Sequence, residues 1–303
     1  MMKKLTSLLL GALMATFMHA LPAQTGQGGG QAAQLRAKHA SIADSLKNNP
    51  YKRPMHIEST ETQTTLKGDV YALLPHPFAE VNAALTKPGA WCDIMIMPVN
   101  TKDCRVALRS GGTTGVTMRI GRKHDQPIQD AYPIDFTYRV ADNSPDYFAV
   151  RLDAESGPLS TKDYRVMVEA TPVEGGKTFL HLRYSYGFGM AGRIAMQAYL
   201  STVGASKVGF STSEGTLVGG MRGVVERNTM RYYLAIESYL GSPGSEGLDR
   251  RLQAWFDGTE QYAHQLREID RTTYVAMKRR EVQRQQTAQE GVTSGNSESS
   301  SRL

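Results

Sequence analysis

The sequence predicts an α+β fold in which a curved antiparallel sheet of about seven strands wraps around one long C-terminal helix. Three observations carry this. Across residues 64–186, apolar and polar residues alternate with period two in short segments bounded by turn residues. After Gly187 the spacing becomes helical, and residues 221–240 are long enough to span a sheet. The alternating segments place their apolar residues on one face, so that face must pack against something.

In order, residues 64–74 form the first strand, with Leu66, Val70, Ala72 and Leu74 on one face and Pro75-His76-Pro77 as its stop. Phe78, Val81, Ala84 and Leu85 have helical spacing, ended by Lys87-Pro88-Gly89; Trp91, Ile94 and Met95 suggest a second short helix. Strands follow at 104–110, 115–123, 134–140, 147–153, 164–171 and 178–186, with turns at Gly111-Gly112, Asp142-Asn143, Gly157-Pro158 and Gly175-Gly176. Met118, Phe136, Tyr138, Val168, Tyr184 and Tyr186 fall on the apolar face, while Arg119, Arg139, Arg151, Arg165 and Arg183 fall on the other. The charged face reads as a solvated ladder rather than a binding site, because exposed ion pairs are common and contribute little.

Residues 190–203 are rich in Ala and Met with helical spacing. They form either an adaptable edge over the sheet or an ordinary packed helix. A loop with a short extended piece at 208–210 leads to the long helix, whose stripe runs Met221, Val224, Val225, Tyr232, Ile236 and Tyr239, with Asn228 on it. Residues 248–257 and 259–284 are helical, the second heavily charged.

The ends have a different character. Lys3 and Lys4, a short apolar run and a small-residue exit near Ala20–Ala23 make residues 1–23 a secretory signal peptide, too short to span a bilayer. Residues 24–54 hold a Gly/Gln-rich linker and a helix with Leu35, Ile42 and Leu46 on one face. The main domain covers 55–240, a helical extension covers 241–286, and a Ser-rich disordered tail covers 287–303. Net charge is +6, and +4 after subtracting Lys3 and Lys4. With basic residues dispersed, this fits solubility and transient contact with anionic membrane surfaces rather than nucleic acid. The two cysteines, Cys92 and Cys104, read as a disulfide in the oxidising compartment that export implies, with about 3 kcal/mol from loop closure.

The order of elements, one strand, two short helices, about six antiparallel strands and a long helix, resembles the helix-grip fold of START-related proteins, the SRPBCC superfamily. The run Leu73-Leu74-Pro75-His76-Pro77-Phe78-Ala79-Glu80-Val81 resembles the end of that fold's first strand, and Leu85 to Trp91 its second-helix entry. Gly121-Arg122-Lys123-His124-Asp125, Asp163-Tyr164-Arg165 and Arg222-Gly223-Val224-Val225-Glu226-Arg227-Asn228 are similar to stretches in a group of exported proteobacterial proteins with no assigned activity. The resemblance covers roughly 55–240 and implies an apolar cavity between sheet and long helix. In the wider superfamily such cavities hold sterols, phospholipids, polyketides or other apolar molecules. Fold alone does not dictate function.

Chemical motifs are sparse. His-Glu-x-x-His, phosphate-loop and Gly-x-Ser-x-Gly patterns do not occur, the histidines lack metal-ligand spacing, and no cofactor is called for. His124-Asp125 with Asp130 and Tyr132 could supply a general base, but loop solubility explains them as well. Trp91, Met118, Phe136, Tyr138, Val168, Tyr184, Tyr186, Asn228 and Tyr232 are the expected cavity lining, apolar bodies with a few hydroxyls and one amide to fix a polar head. A packed core in which these polar groups satisfy one another fits the same pattern. Three functions remain open: an exported binding protein for a lipid or other apolar small molecule, a cyclase- or hydrolase-type enzyme on the same fold, and a filled-core protein whose charged C-terminal helix is a partner surface.

Overall fold

The computed structural model describes residues 27–202 and 204–300, so the signal-peptide reading lies outside the described residues. Two helices, α1 (Gln27–Ser41) and α2 (Ala43–Lys47), precede the hairpin of β1 (Met55–Glu61) and β2 (Thr65–Leu74). Short helices α3 (Phe78–Leu85) and α4 (Pro88–Met95) lead into a meander: β3 (Thr101–Leu108), β4 (Thr114–Ile120), β5 (Tyr132–Ser144), β6 (Tyr147–Ser156), β7 (Thr161–Val173) and β8 (Lys177–Phe188). Then come α5 (Met190–Leu200), a small hairpin of β9 (Thr212–Ser213) and β10 (Thr216–Leu217), and α6 (Gly220–Gly241). Helices α7 (Leu248–Glu260), α8 (Ala263–Leu266) and α9 (Arg271–Ser300) complete the chain.

The main sheet has eight strands, in the order β1-β2-β8-β7-β6-β5-β4-β3, all antiparallel. Register shifts between Val140 and Asp142 and between Lys162 and Arg165 interrupt the ladders, where extra residues bend a strand and raise its twist. The concave face takes α6, which packs on β1, β2 and β8. This is the expected α+β helix grip, with one strand more than the alternation suggested. The added strand is β1, where Met55, Ile57 and Ser59 turn inward and His56 and Glu58 do not. Its partner β2 carries Gly68 directly under α6, where a Cβ would overlap Thr229 Oγ1.

Several expectations need correction. The Gly/Gln-rich linker becomes helical from Gln27, and α1 and α2 lay Leu35, Ile42 and Leu46 on Tyr71, Tyr147, Ala149 and Phe179. The convex face is therefore wet only in part. On that face His181 stacks on Tyr71, with Nε2 2.7 Å from Asp69 Oδ1 and Nδ1 2.8 Å from Glu169 Oε1. Tyr147 donates to Glu169 Oε2 and Arg183 to Asp69 Oδ1. Both imidazole nitrogens face carboxylates, an arrangement that favours the charged form of the ring. Burial alone would lower its pKa, and the two carboxylates outweigh that and raise it. The extended piece expected at 208–210 is displaced to the β9–β10 hairpin.

The C-terminal region is part of the core rather than an appendage. Leu252, Trp255 and Phe256 of α7 and Tyr274 and Met277 of α9 are buried in the same cluster as the sheet's inner face. The helix expected at 259–284 is broken around 267–270, and its charged face is not fully solvated. Lys102 of β3 and Lys278 of α9, both fully buried, share the buried carboxylate of Glu281 at 3.1 and 2.8 Å. Lys278 also donates to the Thr101 carbonyl, and Gln285 accepts the Cys104 amide hydrogen. These contacts cover the open edge of β3, which would otherwise present unpaired backbone groups. The tail expected to be disordered from Thr287 instead continues α9 to Ser300; extending an existing helix avoids the nucleation cost. The disulfide is present, joining Cys92 of α4 to Cys104 of β3 with Cα atoms 5.1 Å apart. Among the described residues no helix is long and apolar enough to cross a membrane.

Candidate functional site

Two adjoining cavities lie between the concave face and α6. The inner one, about 150 Å³, is walled by Met118, Ile134 and Phe136 from the first half of the meander and by Tyr164, Tyr184 and Tyr186 from the second. Its roof is Val224, Asn228, Arg231 and Tyr232 of α6. These side chains meet because period two aims alternate strand residues inward, while positions 224, 228, 231 and 232 share one side of a helix. The outer cavity, about 250 Å³, shares Asn100, Leu159, Met196, Val224, Asn228 and Arg231 with the inner one and adds Lys123, Tyr199, Arg227 and Glu268. Helix α5 covers it with Ala195, Met196 and Tyr199, leaving Met190 and Ile194 exposed on its far side.

The inner wall is aromatic. Tyr164 stacks on Tyr186 (centroids 5.3 Å apart), Tyr184 lies 5.5 Å from Tyr232, and Phe136 meets Tyr164 edge-on. Burial raises the hydroxyl pKa of Tyr164, Tyr184, Tyr186 and Tyr232, so all four stay protonated hydrogen-bond donors at neutral pH. The hydroxyls of Thr161 and Tyr164 are 2.7 Å apart. At the outer end Arg231 donates to Glu268 Oε1 (2.6 Å) and Lys123 to Glu268 Oε2 (2.7 Å). The lining is thus apolar and hydroxylic within and charged toward the mouth.

Of the residues expected to line a cavity, Met118, Phe136, Tyr184, Tyr186, Asn228 and Tyr232 do so. Trp91, Tyr138 and Val168 do not. Trp91 is buried against α3, donating to the Leu85 carbonyl at 2.8 Å, and the Tyr138 hydroxyl donates to the Thr86 carbonyl at 2.6 Å. Val168 is fully buried in mid-sheet, paired with Val150 and Leu182, and lines neither cavity. The sequence reading missed Tyr164, although it continues the inward face of Val166 and Val168. It also missed Arg227 and Arg231, which flank Asn228 on α6. Glu268 arrives from the α8–α9 connection and left no local signal. His124 stays exposed, its ring nitrogen beside the Asp125 carbonyl, and Asp125 pairs with Arg280. Among the described residues no group of three or more His, Cys, Asp or Glu is placed to hold a metal.

Fold and cavity together define a helix-grip protein with a partly open space beneath its long helix. No protein-family model and no curated protein matches the chain. Solved structures do resemble it. A conserved protein from Geobacillus kaustophilus is 15% identical, over 58% of this chain and 95% of its own, with a TM-score of 0.35. Norcoclaurine synthase from Thalictrum flavum in complex with dopamine and hydroxybenzaldehyde is 13% identical over 60% and 90%, with a TM-score of 0.36. An aromatase/cyclase from Streptomyces sp. R1128 is 10% identical over 67% and 96%, with a TM-score of 0.31. At these identities and scores the likeness brings no activity to this chain.

Proposed function

We propose that the protein is exported and binds an apolar small molecule or lipid in the space between its sheet and α6. The observation that carries this is the pair of adjoining cavities. Together they reach the lower end of the range of about 300–1,000 Å³ usual for ligand pockets, and apolar walls with a few fixed donors suit a ligand with a large apolar body. Among the inner-cavity lining Arg231 is the one charged side chain, and the tyrosines are held protonated. That favours holding a ligand over moving protons on it. The Cys92–Cys104 disulfide supports an oxidising compartment, in keeping with the signal-like residues 1–23 and with the resemblance to exported proteobacterial proteins.

The test is native mass spectrometry on protein released from the cell envelope without detergent, followed by solvent extraction and identification of what was bound. A discrete co-purifying apolar molecule, displaced when Phe136→Trp narrows the inner cavity, is the expected result. An apo mass unchanged after incubation with a lipid extract would overturn the proposal.

A further inference from the structure

The outer cavity is lined by three cations and one carboxylate, and two of the cations bond that carboxylate. Helix α6 projects Arg227 and Arg231 one turn apart into it, with residue exposure of 3% for Arg227 and side-chain exposure of 13% for Arg231. Lys123 reaches in from the segment after β4. Lys207, outside the lining but within electrostatic reach of Lys123, Arg227 and Arg231, donates to the Arg267 carbonyl at 2.8 Å. Glu268 is the sole acidic side chain in the outer lining, and both its oxygens are already taken, by Arg231 and Lys123. Arg227 gives NH1 to the Val208 carbonyl, and among the described residues no carboxylate pairs with it or with Lys207. The arrangement is short of negative charge beside an open space.

We propose that this outer cavity is an anion subsite, and that the ligand is an amphiphile whose carboxylate or phosphate lies among Lys123, Arg227 and Arg231 while its apolar body fills the inner, tyrosine-lined cavity. This rests on the reading of the cavity as a ligand space and adds the charge and orientation of what it holds. The two cavities share the wall of Asn100, Leu159, Met196, Val224, Asn228 and Arg231, so one molecule spans both. A guanidinium offers paired donors that match an oxyanion, and such charge-assisted bonds are strong where water is excluded.

The state of the cations agrees. Burial holds Arg227, Arg231 and Lys207 below their usual pKa values. For all three, attraction to Glu268 opposes the burial, joined at Arg227 by Tyr199 and Glu226; smaller repulsion adds to the burial, from Arg227 on Arg231 and from Arg231, Lys123 and Arg227 on Lys207. A bound oxyanion relieves both. Glu268 then acts as an internal competitor that holds Arg231 and Lys123 in place while the site is empty.

The experiment is isothermal titration calorimetry of the purified, delipidated protein with decanoate, decyl phosphate, decanol and inorganic phosphate, on wild type, Arg227→Gln, Arg227→Lys and Glu268→Gln. Each variant is first checked for a native circular dichroism spectrum. Wild type should bind decanoate or decyl phosphate about tenfold or more tighter than decanol, the scale of one charge-assisted hydrogen bond. Whichever of the two binds tighter identifies the head. Arg227→Gln should remove that preference, Arg227→Lys restore part of it, and Glu268→Gln, by freeing two cations, increase it. Equal binding of decanol and the anions would overturn the anion subsite while leaving the apolar cavity standing. Failure of every chain-bearing probe would overturn both. Inorganic phosphate binding as tightly as decyl phosphate would show an ion site unconnected to the cavity and would also overturn the amphiphile.

Discussion

Thr229 of α6 stands directly over Gly68 of β2: a Cβ added to Gly68 would overlap Thr229 Oγ1 and come within 3.3 Å of the Val225 carbonyl oxygen. The helix can lie this close because the strand has no side chain at that point. Gly68→Ala should destabilise the fold by about 1–3 kcal/mol, the usual cost of overpacking a filled interior. Thr229→Ala in the same chain should recover part of the loss, read as a non-additive double-mutant cycle in urea unfolding. Simple additivity would show that strand and helix do not meet there.

Glu281 holds two fully buried lysines. Glu281→Ala strands Lys102 and Lys278 as uncompensated charges and should cost about 3–5 kcal/mol. Replacing all three by apolar residues of similar volume, Lys102→Met, Lys278→Met and Glu281→Leu, should cost far less, because no charge is left buried. Denaturant midpoints of the two variants decide it; equal losses would mean that the packing, not the charge, holds α9 on β3.

Acid should loosen the convex face. Burial alone would raise the Asp69 pKa, but hydrogen bonds and charge from His181 and Arg183 outweigh it and hold the carboxyl at about 2, below its ordinary 3.8. A carboxyl depressed in the folded state contributes stability above its unfolded pKa and loses it as pH falls. About 2 kcal/mol should therefore disappear between pH 3.8 and about 2. The raised pKa of His181 works in the opposite direction, its contribution being full below 6.5 and lost as pH rises through the folded value. Asp69→Asn should make the acid limb of stability against pH measurably shallower; an unchanged limb would exclude Asp69 as its source.

Cys92 and Cys104 tie α4 to the start of β3 across 12 positions. Cys92→Ala with Cys104→Ala should lower unfolding stability by about 3 kcal/mol, the loop-closure estimate for a short ring. Any ligand affinity found for the inner cavity should be kept, since neither cysteine lines it. Loss of binding at temperatures where the variant is folded would show that α4 helps shape the pocket.

Local pattern determined much of this protein. Alternation placed Met118, Phe136, Tyr184 and Tyr186 on one wall, helical spacing put Asn228 and Tyr232 opposite them, and count and spacing paired Cys92 with Cys104. Each of these is a relation within one element or between near neighbours, which period and composition record. Tertiary structure alone decided which inward residues face space and which face packed neighbours: Val168 and Tyr184 share a period but differ in what lies across from them. It also decided that Lys102, Glu281 and Lys278 are core, that Tyr71 and Tyr147, covered by α1, flank the Asp69–His181–Glu169 network, and that Glu268 joins Arg231 and Lys123 at the outer cavity. Those outcomes depend on contacts such as the 37-residue separation of Arg231 from Glu268 and the 179-residue separation of Lys102 from Glu281. A charged residue on a helix reads as solvated until a distant element supplies its partner and excludes the water, and residue spacing within an element carries no trace of that partner.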